Sequence, residues 1–253
     1  MNLRPALLLL AASLLAGCVS TGNVDPMKTG KGRDEARDAY TQLGIGYLQQ
    51  GATERAKVPL KKALELDSSN ADAHAALAIV FQIEMEPKLA DEHFRKAISQ
   101  RSGDARLLNN YGSFLFEQQR YQEALERYTE ASQDSLYPER SRIFENLGLT
   151  SLQLKQRDKA RAYFERSLRL NSRQPRALIE MAQLSYDDKQ YVPARGYYDS
   201  YMSLAVDHDA RSLLLGVRLA KIFEERDNAA SLGLQLKRLY PGTPEYQQYL
   251  SEQ

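Results

Sequence analysis

Apolar and small residues recur at spacings of three and four along most of the chain, with polar residues filling the intervals. Tyr40, Leu43, Gly44 and Tyr47 form one such stripe, and Ala56, Leu60 and Ala63 form the next. Leu77, Ala78 and Phe81 are followed by Ala90, Phe94 and Ala97; Tyr111, Gly112 and Leu115 by Ala124, Tyr128 and Ala131; Leu147 and Gly148 by Ala160, Phe164 and Ser167. That period is helical, so each stripe predicts one helix with a buried face. A small residue returns in the first helix of every pair at Gly44, Ala78, Gly112, Gly148, Ala182 and Gly216, in steps of 34 residues with a single step of 36. A second series, Ala56, Ala90, Ala124, Ala160, Ala194 and Ala229, runs twelve residues behind it and thirteen in the last unit.

A period of 34 with paired small residues is the signature of the tetratricopeptide repeat, a helix–turn–helix unit that stacks on its neighbours. The fold class expected is therefore all-α, a right-handed superhelical solenoid of six repeats at about 37–70, 71–104, 105–138, 141–174, 175–208 and 209–242. Small residues at repeat positions 8 and 20 let helix A and helix B approach, and the large residue at position 24 fills the space beside them. Departures are few. The two surplus residues between repeats three and four fall around Gln133–Glu139, which reads as a lengthened loop. The last repeat has one residue too many, placed in its inner turn near Asp227–Asn228. Pro59, inside the second helix of repeat one and after the expected cap Thr53, predicts a kink or a late start. Thr243-Pro244-Glu245 opens a short capping helix, 243–253, with Tyr246, Tyr249 and Leu250 on one stripe.

The amino terminus differs in kind. Arg4 precedes an apolar run from Ala6 to Leu15, followed by Ala16-Gly17-Cys18. A run this short cannot span a bilayer, which needs about 20 residues, but it suits a cleaved export signal at 1–17. Leu15-Ala16-Gly17-Cys18 resembles the lipobox of bacterial lipoproteins, in which the cysteine becomes the acylated first residue. Cys18, the single cysteine of the chain, is the expected lipidation site. The residue after it is Val19 and not Asp, which implies sorting to the outer membrane. The Gly-, Ser-, Thr- and Lys-bearing stretch that follows reads as a flexible tether, 18–33, ahead of the repeat domain at 34–253.

Charge and chemistry narrow the function by exclusion. The chain carries a formal charge of +1, and loss of Arg4 with the signal removes it, so no basic surplus argues for nucleic acid. His74, His93 and His208 are scattered over different repeats with no metal-binding helical pair. Glu224-Glu225 and Asp187-Asp188 read as solvated turns. No nucleophile elbow, phosphate loop or dinucleotide fingerprint occurs. No catalytic, cofactor-binding or metal-ligating residue is expected, and the protein is expected not to be an enzyme.

What a stacked array offers is a groove lined by helix A positions 2, 5, 9 and 12. In repeats one to five these include Thr41, Ile45 and Leu48; Ala75 and Ile79; Arg106, Asn109, Ser113 and Phe116; Arg142, Glu145, Leu149 and Leu152; and Arg176 and Ile179. Ile45, Leu48, Ile79, Phe116, Leu149 and Leu152 are apolar without being needed to pack A on B, and they are the candidate partner-binding residues. Chaperone-binding repeats grip a peptide carboxylate with Lys and Asn, and Thr41 and Ile45 at the matching positions cannot.

Over its full length the chain resembles the PilF/PilW family of type IV pilus biogenesis lipoproteins. The resemblance rests on the Leu15–Cys18 lipobox, the short tether, six repeats opening at the Arg33–Tyr40 segment, and the long connection after repeat three. It implies a monomeric, lipid-anchored pilotin of the outer membrane, with its solenoid in the periplasm. Its protein partner would be the pilus secretin, which it helps to localise and to assemble into a multimeric ring. The alternative is another periplasmic lipoprotein scaffold, serving outer-membrane protein assembly or a cell-wall hydrolase or protease.

Overall fold

The structure, a computed structural model, describes residues 28–204 and 207–252. Thirteen helices occur among the described residues, and no strand. They are α1 (Gly30–Gln49), α2 (Thr53–Leu66), α3 (Ala71–Ile83), α4 (Pro87–Gln100), α5 (Ala105–Glu117), α6 (Tyr121–Ala131) and α7 (Arg140–Gln153). The remainder are α8 (Arg157–Leu170), α9 (Pro175–Asp187), α10 (Tyr191–Met202), α11 (Ala210–Ile222), α12 (Arg226–Leu239) and α13 (Pro244–Ser251). The helices form two compact units that part between Gln100 and Arg101, α1–α4 in the first and α5–α13 in the second. The fold is all-α, built from tetratricopeptide repeats.

Close approach within each pair follows from the small residues. A Cβ added to Gly44 would lie 2.6 Å from Leu60 Cδ2, one on Gly112 2.7 Å from Tyr128 Cε1, and one on Gly148 2.5 Å from Phe164 Cε1. Ala56, Ala90, Ala124, Ala160 and Ala194 are completely buried. Position 8 is thus kept small by the large residue at position 24.

Every helix A hands over to helix B through a three-residue turn whose middle residue is left-handed: Gly51, Met85, Gln119, Lys155, Lys189 and Glu224, with φ between 58° and 72°. In each turn the third residue donates its N–H to a carbonyl five residues back, as Glu86 does to Phe81 and Glu225 to Ala220, both at 2.8 Å. This is the Schellman closure, which usually recruits glycine. Five of the six positions carry a side chain instead, at a local cost of about 1–2 kcal/mol each.

These turns also locate the repeat register, and they correct one expectation. Glu224 follows Lys189 by 35 residues and its turn, 223–225, has the ordinary length. The surplus residue of the last repeat therefore sits before α11, in the connection 203–209, and not near Asp227–Asn228. Gly216 is consequently not the counterpart of Gly148: a Cβ there would meet Tyr198 Cζ of the preceding repeat at 2.6 Å. Val217 takes the seam instead, clustered with Leu232 and Leu236.

Three further expectations change at helix ends. Residues 30–33, assigned to the tether, belong to α1, because Thr29 Oγ1 accepts from Gly32 N at 3.0 Å and caps the helix there. The second helix runs uninterrupted from Thr53 to Leu66 with Pro59 inside it, so there is no late start, and Ala52 occupies the cap position rather than Thr53. Pro59 is buried, and it removes one backbone hydrogen-bond donor from the helix interior. In α13 Tyr246 and Tyr249 pack against the last repeat, but Leu250 is left exposed. Thr243 caps α13 by accepting from Tyr246 N at 3.3 Å.

Polar side chains couple successive repeats. Asn70 Nδ2 donates to Thr41 Oγ1 at 3.1 Å, and Asn146 Nδ2 to Asn109 Oδ1 at 3.0 Å. α9 has no side-chain cap of its own, and Glu145 from α7 supplies the missing acceptor for Ala177 N at 3.3 Å. Burial holds the Glu145 carboxyl above its usual range against that bond. Of the turn carboxylates, Asp187, Asp188 and Glu224 are exposed and Glu225 is half-buried. Turn carboxylates also pair with the preceding helix B, the half-buried Glu84 with Lys57 at 3.1 Å, Asp188 with Arg157 at 2.9 Å, and Glu225 with Arg195 at 2.9 Å.

Candidate partner-binding surfaces

In the first unit, the surface of interest lies on α1, the first of the described helices. Repeat positions 4 and 7 pack onto the helix B that precedes them: Leu77 joins Ala56, Leu60 and Ala63, and Met181 joins Ala160 and Phe164. Phe144, Leu147 and Leu178 are likewise buried. At the same positions on α1, Tyr40 is 36 % and Leu43 47 % exposed. Beside them Ile45 and Leu48 are half-buried, packed on the Ala56–Leu60 cluster. Ile79 on α3 is half-buried too. The apolar groove residues of this unit thus serve the core in part, and the freer apolar surface is Tyr40 and Leu43. Cys18 lies outside the described residues.

Repeat two holds a histidine pair, His74 buried and His93 half-buried. His74 Nε2 lies 3.1 Å from Ser68 O, so that nitrogen carries the proton, and His74 Nδ1 then accepts from His93 Nδ1 at 3.0 Å. Burial, helped by His74 and Lys96, pushes His93 down to about 4, while Glu92 opposes the shift. Burial also lowers His74. An unfolded chain takes up these protons near the ordinary value of 6.5, whereas in the folded chain His93 refuses its proton until about pH 4 and His74 titrates below its ordinary value. The stability contributed is therefore complete above about pH 6.5 and lost as pH falls towards 4. Between pH 7 and pH 5 the first unit is expected to lose about 1 kcal/mol after allowance for the pair's partial contact with solvent. Thermal melts of the parent and a His93→Gln variant at the two pH values check this, because the variant should lose most of the difference.

In the second unit, Phe116 and Leu149 line one cavity of about 190 Å³ together with Ser113, Arg142, Asn146 and Arg176. Tyr128 donates its hydroxyl to Ser113 Oγ at 3.1 Å at the cavity wall, and burial pushes its pKa up to about 12. Phe116 meets Tyr121 edge-on at 5.2 Å. Leu152 does not line this cavity; with Leu149 it packs on the Phe164 cluster. The six apolar candidates therefore divide three and three between the units, all half-buried. Asn109 and Glu145, groove positions by their spacing, are buried in bonds between repeats. What spacing alone does not single out is the pair of arginines flanking Phe116 and Leu149. Among the described residues no group of three or more His, Cys, Asp or Glu could hold a metal ion.

Comparison with known proteins places this architecture. A tetratricopeptide-repeat family model matches residues 103–173. The chain is 65 % identical over 252 residues to the type IV pilus assembly protein PilF of Pseudomonas aeruginosa, covering 100 % of both. It belongs to the PilF family. A solved structure from the functional characterisation of Pseudomonas aeruginosa PilF superposes with a TM-score of 0.85 at 67 % identity, spanning 88 % of this chain and 100 % of that one. The crystal structure of PilW, described as a widely conserved type IV pilus biogenesis factor, gives a TM-score of 0.71 at 29 % identity over 85 % of this chain and 99 % of its own. A PilF-family member built of tetratricopeptide repeats is a protein-binding component of pilus assembly.

Proposed function

We propose that the chain is a lipid-anchored adaptor of the outer membrane, a pilotin that binds the type IV pilus secretin and promotes its localisation and multimerisation. It acts by protein binding, without catalysis. Family membership supplies the pilus context. The observation that carries the reading to a surface is the apolar face of α1, where Tyr40 and Leu43 are open to solvent while Leu77, Phe144, Leu147, Leu178 and Met181 are buried at the same repeat positions. Ile45 and Leu48 extend that face towards the groove. A lipid on Cys18, with a short tether after it, would hold this repeat nearest the membrane, where an incoming secretin segment is met first.

The test is a pair of double substitutions, Tyr40→Asp with Leu43→Asp and Ile45→Asp with Leu48→Asp. The first pair is exposed and should leave helicity and melting unchanged; the second touches the core cluster, so its melting is measured alongside. Each is expected to reduce secretin multimers and pilus-dependent motility several-fold. Normal multimers with both folded, correctly localised variants would remove repeat one as the site.

A further inference from the structure

The cavity of the second unit has a composition that the repeat core does not require. Its lining holds the apolar pair Phe116 and Leu149, both half-buried, and two exposed cations, Arg142 and Arg176. Arg176, at the start of α9, is exposed and makes no hydrogen bond or ion pair among the described residues. Arg142 pairs only with Glu139, three residues away, and both side chains are about half exposed. An exposed local pair of this kind is worth little and exchanges readily for another carboxylate. Asn146, also in the lining, gives a side-chain N–H to Asn109, which leaves its side-chain Oδ1 to accept a peptide N–H. Glu117, the one carboxylate on the wall, is outnumbered by the two guanidinium groups.

We infer that this cavity is a second protein-binding site, which takes an acidic segment of a partner in extended conformation, with an apolar side chain seated on Phe116 and Leu149 and flanking carboxylates held by Arg142 and Arg176. Charge complementarity selects this occupant. Guanidinium groups bind carboxylates through paired N–H donors, a basic segment would be repelled, and a neutral one would leave Arg176 unanswered. The inference does not depend on which protein meets the α1 face.

The experiment uses the full soluble repeat domain, residues 19–253, as the binding component and a defined probe. That probe is an amidated, fluorescein-labelled decapeptide of alternating Asp and Leu, compared with the Asn–Leu and Lys–Leu counterparts by fluorescence anisotropy. The Asp peptide should bind at least about tenfold more tightly than either, and less tightly as ionic strength rises. Arg142→Glu with Arg176→Glu should abolish the preference, whereas Tyr40→Asp with Leu43→Asp should preserve it. Equal binding of the three peptides, no binding of any, or an unchanged preference in the arginine variant each overturns the inference. None of those results touches the secretin reading, which the α1 substitutions test separately.

Discussion

Replacing Phe164 with Ala is expected to cost about 3–5 kcal/mol of stability, the usual range for emptying a fully buried aromatic site. Phe164 has no solvent exposure and fills the space that Gly148 leaves open. It also joins α8 to α9 through Ala160, Ala177, Met181 and Leu184, so its removal opens a void inside repeat four and at its junction with repeat five together. Domains are stable by only about 5–15 kcal/mol, so the loss is a large share of the total. Because repeats couple mainly to their neighbours, α7–α9 should lose amide protection before α12 does. The converse change is smaller: Ala124→Leu or Ala160→Leu overfills a seam and should cost about 1–3 kcal/mol. Melting curves and hydrogen exchange check both, and unchanged stability in all three variants would contradict the repeat register.

Changing Cys18→Ser is expected to release nearly all of the protein from the outer membrane, or to hold it as unprocessed precursor. Each buried methylene of an acyl chain contributes about 0.8 kcal/mol, so an anchor of two or three chains dominates every other membrane contact this chain could make. Among the described residues no helix is long and apolar enough to cross a membrane and substitute for it. The repeat cores are built from residues after Gly32, so circular dichroism of the variant should match the parent. Fractionation reads the outcome, and full retention in the outer membrane would contradict the lipid anchor.

Much of the fold is legible because the same packing problem is solved six times. A small residue opposite a large one leaves a mark in every repeat, and Gly148 facing Phe164 is the same solution as Gly112 facing Tyr128. Where the mark is ambiguous, sequence reading slips. Gly216 looks like the next anchor, yet the left-handed turn at Glu224 places Val217 on the seam. That turn is itself hidden, since Met85, Gln119, Lys155 and Lys189 carry none of the glycine signal that Gly51 gives. Pro59 signals a late start that does not occur, because the helix begins six residues before it and runs on past it.

The candidate surfaces divide in the same manner. Helix A spacing locates Ile45, Leu48, Phe116 and Leu149, but it cannot say how far the core claims them. Nor does it separate Asn109 and Glu145, consumed in bonds between repeats, from Arg142 and Arg176, which line the cavity. The exposure of Tyr40 and Leu43 is invisible to periodicity, because those residues obey the repeat pattern and, among the described residues, no helix B precedes α1 to cover them.

The central claim is that this PilF-family chain acts by holding the pilus secretin. The most direct measurement is affinity purification of the tagged full chain from detergent-solubilised outer membranes, with the recovered proteins identified by mass spectrometry. Recovery of the secretin with the parent chain, falling several-fold with Tyr40→Asp and Leu43→Asp, is the predicted result. A folded, outer-membrane chain that recovers no secretin, or recovers a cell-wall hydrolase or another assembly factor in its place, would contradict the account.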